Sequence, residues 1–243
     1  MDIKMEAALD AFALLSFGDA GWGDEMASGL AVTAALALAT LPGGLVIGFL
    51  LALAKQSSDR LLFHSANIYT TIFRGLPELL TLFLVYFGVN ALLQSIAESS
   101  GVVDLALSRF QSGMIALGLV FSAFASEVFL SAFRAIPKGQ YEGANALGLG
   151  KFATMRLVIF PQLVRIALPG LSNLWMILLK DTALVSVIGL EEILRQAQIA
   201  SRVTREPFLF FGTAILLYLI LTLASSVAIG GIERWSKRGE AAR

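Results

Sequence analysis

The sequence predicts an all-α membrane protein with five transmembrane helices and a cytoplasmic loop of its own pattern. Of its 243 residues, 57% are hydrophobic and 15% are charged, whereas soluble domains carry about 25% charged residues. The mean hydropathy is +0.77. Five apolar stretches are long enough to cross a bilayer, which takes roughly 20 residues for about 30 Å of hydrocarbon. This composition excludes a soluble globular protein.

Charge and residue usage exclude several function classes. The 18 Lys and Arg residues balance 18 Asp and Glu residues, so the chain lacks the basic surplus of nucleic-acid binders, and we expect no nucleic-acid partner. It has no cysteine and a single histidine, His64, which excludes disulfides, thiol chemistry and the usual zinc sites. We therefore expect neither a metal site nor a catalytic residue on this chain.

Residues 1–28 form a polar segment before the first crossing. The run Ala7–Phe17 is largely apolar, but a signal peptide begins with positive charge, and this segment holds six acids against Lys4 alone. We expect an extracytoplasmic segment with an amphipathic helix at the membrane surface.

Residues 29–232 are predicted to form a single transmembrane domain. Its second apolar stretch contains Pro77, and the pieces on either side of this proline are too short to cross alone. One kinked crossing is therefore the better interpretation. The five predicted crossings are Gly29–Ala54, Leu61–Leu93, Ser112–Phe133, Leu168–Leu190 and Pro207–Ile232.

Charge bias orients these crossings. Segments 55–60, 134–165 and 233–243 together hold eleven Lys and Arg residues, and the segments on the opposite side hold five. Positive charge accumulates on the cytoplasmic side. Because five crossings place the termini on opposite sides, we expect the N-terminus outside and the tail 233–243 in the cytoplasm.

The cytoplasmic loop 134–165 contains a predicted short helix, Tyr141–Ala146, between glycine- and proline-containing turns. The helix carries one acid, Glu142, followed by the small residues Gly143 and Ala144, around which a groove of another protein could close. A plain connecting loop is an equally good interpretation of this spacing. The sequence lacks the Ser or Thr that follows Lys in a nucleotide-binding phosphate loop, so we expect no nucleotide on this chain.

The loop resembles the cytoplasmic signature of ABC importer permeases, which reads Glu-Ala-Ala, three residues, Gly, nine residues and Ile-x-Leu-Pro. Glu142 opens the motif, Gly148 stands at the required glycine, and Pro161 closes it with every interval matched. Three positions depart mildly from the signature, namely Gly143, Val158 and Phe160. The segments 69–80, 180–190 and 206–208 further resemble the polar amino acid subfamily, which includes histidine, basic amino acid and opine systems.

This resemblance implies the type I importer permease architecture in a bacterial inner membrane. It implies three kinds of protein partner: a second permease chain, identical or similar, two ATPase subunits, and a periplasmic solute-binding protein. ATP and magnesium would bind only the ATPase, so no cofactor is expected here. The residues implied to couple the chain to the ATPase are Tyr141, Glu142, Gly143, Ala144, Gly148 and Pro161.

Five charges lie inside the predicted crossings, where each costs about 2.5 to 3.5 kcal/mol at the bilayer centre. Arg74 and Glu78, four residues apart, either pair on one helix face or line a polar path. Glu127 has no base nearby in sequence, so its partner is another helix, a substrate ammonium or a proton. Lys180 and Asp181 are adjacent and point in different directions, so at least one is expected to face a cavity or a second subunit.

Together these charges could line a path for an amino acid, whose ammonium and carboxylate need groups of both signs. The candidate path residues are Arg74, Glu78, Glu127, Asn173, Lys180, Asp181, Thr182 and Ser186. A stand-alone secondary transporter or channel for small polar solutes is the alternative function. It is disfavoured because the chain shows no duplicated halves.

Overall fold

The computed structural model describes residues 13–19, 21–100 and 105–237, with side chains through residue 234. Most of the predicted N-terminal surface helix lies outside the described residues, and residues 14–19 form turns and bends. The described residues contain helices and no strand. In chain order the helices are α1 (Gly23–Ala54), α2 (Arg60–Gly75), α3 (Glu78–Ser100), α4 (Arg109–Ala135), α5 (Lys138–Ala146), α6 (Lys151–Ile188), α7 (Ile193–Thr204) and α8 (Pro207–Lys237).

Five helices of the described chain, α1, α3, α4, α6 and α8, are long and apolar enough to cross a membrane. This confirms the predicted count. Two of them change pitch along their length. A π-helical turn interrupts α3 at Leu84–Val89, and α6 has a π-helical turn at Met155–Ile159 and ends in the 3-10 segment Thr182–Ile188.

The second crossing differs from the sequence prediction. The interpretation of Leu61–Leu93 as one kinked helix was wrong, because α2 ends at Gly75 and α3 begins at Glu78. Leu76 between them is extended, with φ −89° and ψ 142°, as the ring of a following proline requires. The 16 residues of α2 are too few to cross, while the 23 residues of α3 suffice.

Helix α6 also begins earlier than predicted, at Lys151 instead of Leu168. Pro161 lies in the helix directly after the π-helical turn Met155–Ile159. The wider turn accommodates a residue that has no N–H to donate. As a result the loop 134–165 is mostly helical, made of α5 and the first turns of α6.

The chain divides into two compact units, each assembled from distant segments. Unit 1 comprises Met1–Thr40, Glu78–Leu117 and Leu178–Ala224, and unit 2 comprises Leu41–Pro77, Gly118–Ile177 and Ser225–Arg243. In unit 1, α7 packs its apolar face onto α1 and α8. The buried residues of this core are Met26, Ile193, Ala197, Ala200, Phe210 and Ala214.

In unit 2, two glycines let α1 approach α4 closely. A Cβ atom at Gly48 would lie 2.8 Å from the Cβ of Ala125 and 3.0 Å from the carbonyl oxygen of Ser122. A Cβ at Gly44 would meet the ring of Phe121. In a bilayer the lipid is as apolar as the side chains, so burial of apolar surface does not drive helices together. Helices associate through close packing instead, and small residues at the contact allow it.

Candidate functional site: charged pairs in the helices and the turn after α5

A three-residue charge cluster lies within unit 2. Glu127 on α4 accepts a hydrogen bond from the ammonium of Lys55 at 2.5 Å and pairs with the guanidinium of Arg74 at 2.9 Å. The Arg74 guanidinium also stands 5.6 Å from the centre of the Phe124 ring. One carboxylate thus lies between two cations. The sequence left three kinds of partner open for Glu127: another helix, a substrate ammonium or a proton. In the structure its partners are side chains from other segments of the chain, Lys55 after α1 and Arg74 on α2.

The cluster corrects two interpretations of the sequence. Arg74 does not pair with Glu78 on one helix face, because α2 ends between them and the Arg74 guanidinium bonds Glu127 instead. Lys55, which the sequence places in the polar link 55–60, is buried, with its side chain 3% exposed. It directly follows a charge-free run, and no local spacing indicates that Glu127, 72 residues away, would hold it.

Unit 1 brings a second set of predicted path residues together. The first helical turn of α3 contacts the 3-10 segment of α6, and this places the carboxyl groups of Glu78 and Asp181 side by side. Two adjacent carboxyl groups repel each other unless they share a proton or hold a cation. The pair is therefore suited to receive an ammonium or guanidinium group.

Hydroxyl groups accompany this pair in unit 1. Thr182 and Ser186 are buried, and the Thr182 hydroxyl donates to the carbonyl of Leu179 at 2.7 Å. The hydroxyls of Thr81 and Ser112 are also buried, and neither has a hydrogen-bond partner among the described residues. Sequence reasoning missed these last two because a single hydroxyl in an apolar helix is usual.

The remaining predicted path residues are exposed. Lys180 is exposed on α6 directly before the half-buried Asp181, and Asn173 is exposed two turns earlier on the same helix. Neither Lys180 nor Asn173 makes an ion pair or a side-chain hydrogen bond among those of the described residues. The structure therefore groups some of the predicted path residues and leaves these two solvent-facing or lipid-facing.

A buried carboxylate that the sequence did not indicate holds the start of α7. Glu192 accepts hydrogen bonds from the backbone N–H groups of Leu194 and Arg195 at 2.9 and 2.8 Å and from the Tyr218 hydroxyl at 2.6 Å. It is fully buried. Burial raises the pKa of the Glu192 carboxyl, and the hydrogen bond from Tyr218 opposes that rise. The arrangement caps α7 and ties it to α8.

The turn after α5 depends on one glycine. Gly148 has φ +77°, and the N–H of Leu149 donates to the carbonyl of Ala144 at 3.1 Å across the turn. This is the usual left-handed ending of a helix, which favours glycine because other residues pay for the Cβ contact. The backbone conformation therefore favours glycine at position 148 independently of any partner.

The predicted coupling residues divide by exposure. Glu142, Gly143, Gly148 and Pro161 are exposed. Tyr141 is half-buried, and burial raises the pKa of its hydroxyl, so it remains neutral near pH 7. Ala144 is buried, at 4% exposure, and remains a predicted coupling residue. Between residues 13 and 237, the described part of the chain holds no group of three His, Asp or Glu side chains that could bind a metal.

Comparison with known families and structures agrees with this architecture. A family model described as "Binding-protein-dependent transport system inner membrane component" matches residues 44–235. The chain is 41% identical to the nopaline transport system permease protein NocQ of Agrobacterium fabrum, over 93% of this chain and 97% of that protein. It is 42% identical to the octopine transport system permease protein OccQ of Rhizobium radiobacter, over 95% and 98%.

A solved structure is similar as well. A chain in the crystal structure of an amino acid ABC transporter with histidines superimposes with a TM-score of 0.75 and 32% sequence identity. The superposition covers 88% of this chain and 94% of that chain. The likeness therefore extends over nearly all of both molecules.

Proposed function

Because the chain belongs to the family of binding-protein-dependent transport system inner membrane components, we propose that it is a permease subunit of an ATP-driven importer. Its cargo is a polar amino acid or an amino-acid derivative of the basic or opine type. The similarity to opine permeases and to a chain of an amino acid ABC transporter supports this class of cargo. The chain is a multi-pass protein of the bacterial inner membrane.

The observation that carries the proposal is the form of the cytoplasmic loop. Helix α5 lies between two membrane-spanning helices, exposes Glu142 and Gly143, and ends at a left-handed Gly148. A short exposed helix on a fixed turn can enter a groove of an ATPase and transmit its motion to the membrane helices. In this proposal, ATP and magnesium bind only the ATPase subunit.

The proposed complex contains four other proteins: a second permease chain, identical or similar to this one, two ATPase subunits and a periplasmic solute-binding protein. The excess of Lys and Arg in segments 55–60, 134–165 and 233–243 supports a cytoplasmic C-terminus and a periplasmic N-terminus. Buried Lys55 still lies at the end of α1, next to that side.

The proposed substrate path uses charges of both signs. The adjacent carboxyl groups of Glu78 and Asp181 suit a cationic side chain or ammonium, with Thr182 and Ser186 beside them on α6. The Arg74 side chain is 43% exposed, so it keeps donors for a substrate carboxylate while pairing with Glu127. Exposed Lys180 is a further path candidate in unit 1, and exposed Asn173 is one in unit 2.

Reconstitution in proteoliposomes tests the function. The vesicles contain this chain, its co-purifying permease and ATPase partners, and a purified binding protein. They should take up labelled arginine, histidine or an opine only when ATP is present on the side of the membrane that carries the ATPase. Omission of the ATPase or of the binding protein should abolish uptake. Uptake that persists without the ATPase would favour a stand-alone transporter or channel instead.

Labelling of single cysteines tests the orientation, since the chain has no native cysteine. Ser57→Cys and Gly150→Cys should react with an impermeant thiol reagent only from the cytoplasmic side, and Ser201→Cys only from outside. Labelling of Gly150→Cys in intact cells would reverse the proposed orientation.

A further inference from the structure

A small cleft lies beside the coupling turn in unit 2, between α5 and the first turns of α6. Its volume is about 220 Å³, and its lining residues are Tyr141, Asn145, Lys151, Thr154, Met155 and Ile159. Thr154 and Ile159 are buried and form the floor, while Asn145 and Lys151 are exposed at the mouth. Sites for small-molecule ligands usually enclose about 300 to 1,000 Å³. This cleft is smaller, a size that suits one protein side chain.

Two large apolar side chains that lie close in sequence to residues of the cleft are strongly exposed. Leu147 is 82% exposed and Phe152 is 77% exposed. They follow Asn145 and Lys151 closely in sequence and flank the turn that contains Gly148. Outside a membrane, exposed apolar side chains of this size can contribute to a protein interaction surface.

Charge defines the partner that fits this surface. The loop 134–165 holds five Lys and Arg residues and one acid, Glu142. The ammonium of Lys151 forms no ion pair with any residue that the structure describes. A partner that presents a carboxylate at the mouth of the cleft would supply the missing counter-charge.

We propose that this cleft is a socket for one apolar side chain of the ATPase subunit, which an adjacent carboxylate of the ATPase anchors to Lys151. Leu147 and Phe152 pack against the surrounding ATPase surface. The inference rests on the proposed function, and it adds a second contact to the one made by α5. Helix α5 enters the ATPase with its exposed Glu142 face, and the ATPase enters this chain at the cleft.

Two variants of the assembled importer test the socket. Asn145→Trp fills the mouth of the cleft from an exposed position, and Lys151→Glu reverses its charge. Each should weaken ATPase binding to the permease pair in nanodiscs by about tenfold or more, as loss of a central interface contact does. Lys151→Glu should also remove part of the salt dependence of binding. Arg156→Glu is the matched control, because Arg156 is exposed on the same helix and does not line the cleft.

The outcomes separate the socket from the proposed function. If Glu142→Lys weakens ATPase binding while Asn145→Trp and Lys151→Glu bind normally, the socket is overturned and the importer function stands. If Lys151→Glu and Arg156→Glu weaken binding equally, the surface acts through general charge and the socket is again overturned. Normal ATPase binding by all these variants, Glu142→Lys included, would contradict the proposed coupling itself.

Cross-linking identifies the occupant. Asn145→Cys, labelled with a photoreactive benzophenone, should cross-link to an ATPase peptide in which an apolar residue neighbours Asp or Glu. Bound ATPase should also protect Asn145→Cys from a small thiol reagent. Cross-links confined to this chain, with equal thiol reactivity in the presence and absence of the ATPase, would contradict the proposal.

Discussion

The buried ammonium of Lys55 lies 2.5 Å from the carboxylate of Glu127, which joins the residue after α1 to the C-terminal half of α4. Its side chain is 3% exposed, whereas that of Glu127 is 36% exposed. A charged group this deeply buried depends on its partner, because an isolated buried charge is strongly unfavourable. The pair therefore stabilises the packing of unit 2 as well as contributing to its polar surface.

We expect Glu127→Gln to destabilise the protein, because Lys55 then keeps only a neutral acceptor. Full loss of a buried partner costs about 3 to 5 kcal/mol, and the exposure of Glu127 reduces this to about 1 to 3 kcal/mol. Thermal unfolding of the detergent-solubilised protein measures the change. The double variant Lys55→Met with Glu127→Gln should recover part of the loss. Additive effects of the two substitutions would show that the residues do not stabilise each other.

A pair of glycine substitutions on α1 tests the close approach to α4. Gly48→Ala should lower stability by about 1 to 3 kcal/mol, the usual cost of overpacking, because its Cβ would lie 2.8 Å from that of Ala125. Gly43→Ala meets no atom within 4 Å and should be neutral or slightly stabilising. Equal unfolding temperatures for the two variants would rule out tight packing at Gly48.

Two glycines of the coupling loop should respond in opposite directions. Gly143→Ala lies in a helix with open space around its Cβ, so it should stabilise α5 by about 1 kcal/mol. Gly148→Ala places a Cβ at φ +77° and should cost about 1 to 2 kcal/mol. Hydrogen exchange of the α5 amides measures both. In the ATPase assay, Gly148→Ala should lower stimulation by substrate-loaded binding protein, while Gly143→Ala should preserve it.

The adjacent carboxyl groups of unit 1 give a prediction for transport. Asp181→Asn and Glu78→Gln should each reduce uptake of a cationic substrate about tenfold or more, since a hydrogen bond to a charged group contributes about 1.5 to 3 kcal/mol. The double variant should be little worse than either single one, because both act at one place. Glu206→Gln, an exposed acid before α8, is the control. Full uptake by both single variants in assembled complexes would make the carboxyl pair structural.

The buried Glu192 carboxyl predicts a pH dependence of stability. Burial raises its pKa above the ordinary value of 4.5, so the folded state binds its proton more tightly than the unfolded state does. The stabilisation from this proton is complete below the unfolded pKa and is lost as the pH rises through the folded pKa. The free energy of unfolding of the wild type should therefore fall relative to that of Glu192→Gln as the pH is raised above about 4.5. An unfolding difference that does not change with pH would contradict this assignment.

Several features could be predicted from the sequence because they depend on neighbours along the chain. Apolar runs determine which segments can cross a bilayer, so the number of crossings was predicted correctly. The short helix of the loop 134–165 was predicted with its end at Ala146, before Gly148, although it begins at Lys138 instead of Tyr141. The same local rule shows why the second crossing was misjudged, because Pro77 ends α2 at Gly75 instead of bending one continuous helix.

Contacts between distant segments could not be predicted in this way. Spacing of four residues suggested that Arg74 pairs with Glu78, but the extended Leu76 separates them and Arg74 bonds Glu127. No local pattern relates Lys55 to Glu127, or Glu192 to Tyr218, which is 26 residues away. Helical periodicity shows which residues share a face of one helix, and it contains no information on which helix that face meets.

The sequence by itself determined the membrane class, the number of crossings and the position of the coupling loop, because hydropathy and turn chemistry act over one helix or less. Only the tertiary structure decided which charges are buried, which acids lie together and where the cleft beside α5 opens. These depend on packing between helices far apart in the chain, where a difference of one helical turn changes the partner of every side chain.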